Sequence, residues 1–319
     1  MADDVVFSMT EDEAVRMLPT LSNWGLWGPE DQRGTLNYIT PAHRKRALAT
    51  VREGRTLSCS LPIETVAPAA PGNAVHWNIM LGGDQVPASG MGVASDYIGL
   101  APHGIMHTHL DALCHIFFDA MMYNRRPASM VTSRGAQANA VSAAAEGIVT
   151  RGVLLDIPRL RDIDYVPAAQ PVRRAELEAA EAAAGLRIEP GDALLVRVGR
   201  HVRRLAEGVE SERGIDRSGD HRTLPGMDPD CLPLLHERRI ALLGCDGISD
   251  VMPSPYRRAR LPVHVGALVF MGLHLLDNAV LDELAAACAA RGSWEFLFML
   301  APLRITGGTC SPANPLAMI

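Results

Sequence analysis

Three short apolar runs punctuate the chain: Gly152-Val-Leu-Leu-Asp-Ile157, Ala193-Leu-Leu-Val196 and Ile240-Ala-Leu-Leu-Gly-Cys245. Each lacks polar alternation and is bounded by turn formers, the pattern of a strand covered on both faces. Arg55–Pro62, His76–Leu81 and Trp294–Arg304 read as further strands, the last closing the sheet. Helical signals lie between them. Thr40-Pro41 opens an N-capped helix with proline at its first position, and Ala/Glu-rich stretches run from Arg174 to Gly185 and from Leu281 to Arg291. A further helix is expected over Leu232–Glu237, a loop over Met121–Asn124 and an exposed loop over Glu207–Gly226. Strands alternate irregularly with helices, which predicts an α/β fold with a mixed, barrel-like sheet core flanked by helices. No repeat, low-complexity tract or Pro/Gly/Ser linker divides the sequence. We therefore expect one domain over 1–319, with residues 1–50 a decoration.

One segment departs from this texture. His103-Gly-Ile-Met-His107-Thr-His109-Leu-Asp111-Ala-Leu-Cys-His115 holds four of the eleven histidines. His107, His109 and Asp111 recur with period two, so an extended backbone sends all three side chains to one face. Two imidazoles and a carboxylate form most of a shell for a borderline divalent cation; a polar strand edge is the competing reading. Downstream, His264 and Asp277 are polar residues in apolar surroundings, where an unpaired charge is costly, and they complete the candidate set. Asp246 and Asp250 are equally well read as turn carboxylates capping backbone N–H groups.

Composition narrows the rest. Hydrophobic residues at 48% and charged residues at 21% are ordinary globular usage. A net charge of −6 with no Lys/Arg stripe argues against a nucleic-acid partner. The acidic N-terminus lacks a signal-peptide pattern, and the longest apolar run, Val265–Leu276, is too short to span a bilayer. A cytoplasmic protein with no membrane partner is the expectation. Six cysteines without CxxC spacing read as reduced, mostly buried thiols. No G-x-S-x-G elbow, G-x-G-x-x-G or Walker loop occurs, so neither a serine triad nor a nucleotide cofactor has support.

The run Thr108-His109-Leu-Asp111-Ala-Leu-Cys-His115 resembles the signature H-x-G-T-H-x-D-x-P-x-H of the cyclase-like metal-dependent hydrolases, a group that includes bacterial kynurenine formamidase and isatin hydrolase. Thr108, His109, Asp111 and His115 fall in register, while Ile105, His107 and Leu113 stand at the signature's first histidine, glycine and proline. Weaker similarity extends from about Asn23 to the C-terminus. The resemblance implies a swivelling β/β/α fold and a Zn or Mn centre on His109, Asp111 and His264, with Asp277 where the family often has glutamate. His107 is the expected substitute for the lost first histidine, with His103 the alternative. The resemblance further makes His115 the acid/base group, and implies a homodimer or homotetramer.

The chemistry expected is hydrolysis of an amide, imide or lactone in a small cyclic or aryl substrate by hydroxide generated at the ion, with His115 moving the proton. A cyclase or lyase using the same ion, or a non-catalytic metal- or ligand-binding protein, are the alternatives. Trp24, Trp27, His76 and Trp77 are candidates for an aromatic pocket wall, although a tryptophan in such a loop equally serves as a lid on the core.

Overall fold

The computed structural model describes residues 5–63, 75–80, 88–168, 170–208 and 223–319, with 75–80 described through their backbone. Nine strands form one mixed sheet: β1 (Thr56–Ser58), β2 (His109–Asp111), β3 (Ile148–Asp156), β4 (Ala193–Arg197), β5 (Leu242–Cys245), β6 (His274–Asp277), β7 (Glu295–Leu300), β8 (Cys310–Pro312) and β9 (Leu316–Met318). Their order is β1-β9-β7-β3-β4-β5-β6-β2-β8. The centre, β3 to β6, is parallel. Parallel neighbours need long crossovers, and these carry the helices Arg174–Ala183, Arg200–Glu207 and Leu232–Arg238. Both flanks are antiparallel, so the sheet is the mixed α/β core expected from the sequence.

Two expectations change, and an apolar run given no element from the sequence acquires one. Trp294–Arg304 does not close the sheet: β7 lies inside it between β3 and β9, and the edges are β1 and β8. The apolar run after Leu261 divides in two. Pro262–His264 starts a helix that continues as a buried π-helix over Val265–Met271, and Gly272, in the left-handed region, breaks it before β6. The first fifty residues are also more than a decoration. Phe7, Ala14, Leu18 and Leu21 belong to the core on one face of the sheet, and Leu36 and Ile39 to the core on the other. The seam is tight. Gly34 sits at φ +57, where a Cβ would lie 1.9 Å from the Gly272 carbonyl oxygen, which accepts from the Thr35 N–H at 2.8 Å.

All six cysteines are free and buried, and no helix among the described residues is long and apolar enough to cross a membrane. The strand expected over His76–Leu81 is present as Val75–Met80, paired antiparallel with Ser95–Gly99; Leu81 lies outside the described residues. Most of the loop expected over Glu207–Gly226, residues 209–222, also lies outside them.

His274 opens β6, fully buried, with Nδ1 2.9 Å from the Asp111 carbonyl oxygen. A carbonyl only accepts, so this nitrogen carries the proton. Burial pushes the imidazole down from 6.5 to about 4. Its folded pKa lies below the unfolded one, so stability is complete above about pH 6.5 and is lost as pH falls from there towards 4. His274→Gln, which keeps a donor without the titration, should flatten the dependence of unfolding free energy on pH in this window by about 1.4 kcal/mol per pH unit. Denaturant titrations at several pH values measure it, and parallel slopes for the two proteins would refute the assignment.

Candidate metal centre

Strand alternation places His109 and Asp111 on one face of β2 and Leu110 on the other, in the core. The antiparallel register sets Asp277 opposite His109 and Leu276 opposite Leu110, so a second carboxylate joins the polar face from β6. His264 arrives from the helix that precedes β6. Its Nε2 lies 3.5 Å from Asp111 Oδ2 and 3.3 Å from Asp277 Oδ2. On the other side of the same carboxylate, His103 Nδ1 and His109 Nε2 lie 3.1 and 3.5 Å from Asp111 Oδ1. Two sets of ligand atoms therefore share Asp111: His103, His109 and Asp111, and Asp111, His264 and Asp277.

The supporting contacts decide which atoms are available. Asp250 accepts from the backbone N–H groups of Val263 (2.8 Å) and His264 (3.0 Å), and its Oδ2 is 2.6 Å from His264 Nδ1. The Nδ1 proton is thus committed, and Nε2 faces the centre, the carboxylate–histidine arrangement that orients metal-bound imidazoles. His109 is held likewise, with Nδ1 2.8 Å from the His107 carbonyl. Ser249 Oγ donates to Asp277 Oδ1 at 2.9 Å, from a serine at φ 63. Backbone held in that region by a non-glycine residue is typical of functional sites.

The electrostatics call for a cation. Among the described residues both Asp111 oxygens are buried without a well-formed hydrogen bond and face only imidazole nitrogens at 3.1–3.5 Å, a costly state for a carboxylate. Burial by itself would raise the Asp111 pKa, but His103, His115, His264 and His109 outweigh it and hold the group ionised, well below the usual range. Burial likewise opposes charge on His264, yet the Asp111, Asp250 and Asp277 carboxylates drive its pKa well above the usual value. Three buried carboxylates thus surround one imidazole. A divalent ion fits this donor set of nitrogen and oxygen ligands, which contains no cysteine.

His107 is a correction. β2 begins only at His109, and residues 103–107 form a bend, so the alternation that would align positions 105, 107 and 109 stops short. His107 belongs to neither ligand set, and its carbonyl is what serves the site; the bend brings in His103 instead. His115 lies beside the ligands rather than among them. Its ring stacks on His103 with centroids 3.8 Å apart and 14° between planes, and stands 6.3 Å from the His264 ring. Burial lowers its pKa to about 4.

Trp24 spends its indole N–H on the Val269 carbonyl at 2.7 Å and stacks on Phe270. Trp27 meets Tyr38 edge-on. Neither contact is with His103, His109, Asp111, His264 or Asp277. The His76 and Trp77 side chains lie outside the described residues. Asp246 and Asp250 both cap backbone N–H groups, and Asp250 also orients His264. Sequence reasoning missed Ser249, and also Arg200 and Asn278, whose paired side chains bond carbonyls of the 103–107 bend. The one available signal was the polar pair Asp277-Asn278 at the end of a buried apolar strand.

The fold has known counterparts. The chain matches a solved structure described as a novel cyclase at 31% identity and TM-score 0.80, covering 95% of this chain and 99% of that one. Isatin hydrolase A from Labrenzia aggregata, bound to benzyl benzoate, is similar in fold at 21% identity and TM-score 0.58, with 83% and 93% covered. An isatin hydrolase bound to the product analogue thioisatinate is 17% identical at TM-score 0.60, with 88% and 99% covered. No curated protein sequence matches. Residues 55–250 match the family model described as "Putative cyclase", and the chain belongs to this cyclase family.

Proposed function

We propose that the protein is a metal-dependent hydrolase that opens an amide, imide or lactone bond of a small cyclic or aryl substrate. The observation that carries this reading is the buried Asp111 carboxylate, which among the described residues faces only imidazole nitrogens and is shared by two sets of candidate ligand atoms. His103, His109 and Asp111 would hold one divalent ion, Zn or Mn, and Asp111, His264 and Asp277 a second. When bound, such an ion acidifies water and polarises a carbonyl oxygen. The similarity in fold to isatin hydrolases directs the search towards cyclic amides.

His115 then has a defined task. Burial lowers its pKa and keeps the imidazole neutral at pH 7, which leaves a ring nitrogen free to take a proton and return it to the leaving nitrogen or oxygen but makes it a weaker base than an exposed imidazole. Its position against His103 brings it to the ligands without adding it to them. The family description favours a second reading, ring closure at the same centre. Turnover in ¹⁸O-labelled water separates the two, because only hydrolysis places solvent oxygen in the product.

Elemental analysis of the purified protein should find one to two equivalents of Zn or Mn, and the His109→Ala, Asp111→Ala double variant should have lost them. Absence of metal from the wild type even after reconstitution would refute the proposal. His115→Ala should reduce turnover of a cyclic-imide or lactone substrate by about 10²–10⁴-fold while metal content stays at the wild-type level. A parallel loss of metal would instead make His115 a ligand.

A further inference from the structure

His103 reaches Asp111 from a segment that has no regular structure of its own. Residues 103–107 form a bend, with Gly104 at φ 101, so something outside the segment has to fix its path. Two buried side chains do so. Asn278, fully buried and at φ 56, donates from Nδ2 to the Gly104 carbonyl at 2.7 Å and to the His107 carbonyl at 2.9 Å. Arg200 donates from Nη1 to Asn278 Oδ1 at 2.5 Å and from Nη2 to the Ile105 carbonyl at 2.8 Å. Three carbonyls of the bend are therefore held by one Asn–Arg pair.

The pair is itself anchored. Asn278 donates its backbone N–H to the Gly247 carbonyl at 2.7 Å, and its own carbonyl accepts from Thr108 Oγ1 at 2.6 Å. Arg200 opens the helix Arg200–Glu207. The N–H groups of Val198, Gly199 and Arg200 converge on the Asp246 carboxylate at 2.7, 2.9 and 3.2 Å. The bend is thus referenced to the ends of β5 and β6, the strand ends from which Ser249, Asp250 and Asp277 also act.

We propose that Asn278 and Arg200 are positioning residues that hold the 103–107 bend so that His103 meets Asp111, and thereby set the ion affinity of the His103, His109 and Asp111 subsite. The proposal rests on the metal-centre reading above. It makes the sign of the Arg200 effect informative. Removing a buried positive charge near the centre would tighten cation binding if Arg200 acted through its field alone, whereas loss of a clamp weakens it.

The test is a Co²⁺ titration of the metal-stripped full-length protein, followed by visible absorption and equilibrium dialysis, with thermal melts of each metal-free form. Asn278→Gly removes the side chain and leaves a residue at ease at positive φ; Arg200→Met and Arg200→Lys probe the partner. Asn278→Gly and Arg200→Met should weaken Co²⁺ binding 10–100-fold, the usual scale for groups that orient ligands, and Arg200→Lys should fall between them and wild type. His103→Ala should weaken binding similarly, and adding Arg200→Lys to it should cost nothing more, since Arg200 holds the Ile105 carbonyl on the His103 side of the bend; Asn278→Gly also frees the His107 carbonyl that orients His109, so its loss is not read from this cycle. Additive losses, tighter binding in Arg200→Met, or wild-type affinity in Asn278→Gly would each overturn the proposal. If Asn278→Gly does not fold, the Arg200→Lys cycle with His103→Ala decides it. Failure of the wild type to bind Co²⁺ would refute the metal reading itself, and the clamp with it.

Discussion

A buried carboxylate that, among the described residues, faces only imidazoles organises this molecule. Asp111 cannot be placed in an apolar interior unless positive charge surrounds it, and the fold meets that demand from several directions. β2 supplies His109, the preceding bend supplies His103, and the helix before β6 supplies His264. Each of these imidazoles is oriented by a further group: Asp250 for His264, the His107 carbonyl for His109, and the Asn278–Arg200 pair for the segment bearing His103. Hydrogen bonds that serve no sheet or helix thus concentrate around one side chain, whose own oxygens are left for a cation.

The sheet gives this arrangement its precision. Both ligand-bearing strands are short, and two rungs define their pairing, Leu276 with Leu110 and Asp277 with His109. Because strand side chains alternate, a slip of one residue would bring Leu276 to the polar face and send Asp277 into the core. Leu110 and Leu276, packed in the core behind, oppose that slip. Hydrophobic packing on one face therefore fixes the relative positions of His109 and Asp277 on the other.

The parts of this site that were legible in the sequence are those that local rules govern. His109 and Asp111 follow from period-two alternation. His264 and Asp277 stood out as polar residues inside apolar runs, and the family resemblance pointed to the same positions. The choice between His103 and His107 was not legible, because alternation cannot show where a strand begins, and the bend at Gly104 reverses the expected preference. Ser249, Arg200 and Asn278 act on residues distant in the chain, so nothing in their neighbours' sequence marks them. The fold divides in the same way. The buried parallel strands were evident from their apolar runs, while the short edge strand Cys310–Pro312 and the contribution of Phe7, Leu18 and Leu21 to the core were not.

The tie between His274 and the Asp111 carbonyl spans 163 positions of the chain, and the ligand atoms on β2 and β6 lie at comparable separation. An ion held between these strands is in effect a reversible cross-link closing a very long loop. Closing such a loop costs chain entropy in the unfolded state, and a ligand that binds only the folded form repays part of it. On the proposed reading, the side chains that would form the chemical centre would also serve as a fastening, and metal occupancy would tie activity to the integrity of the fold.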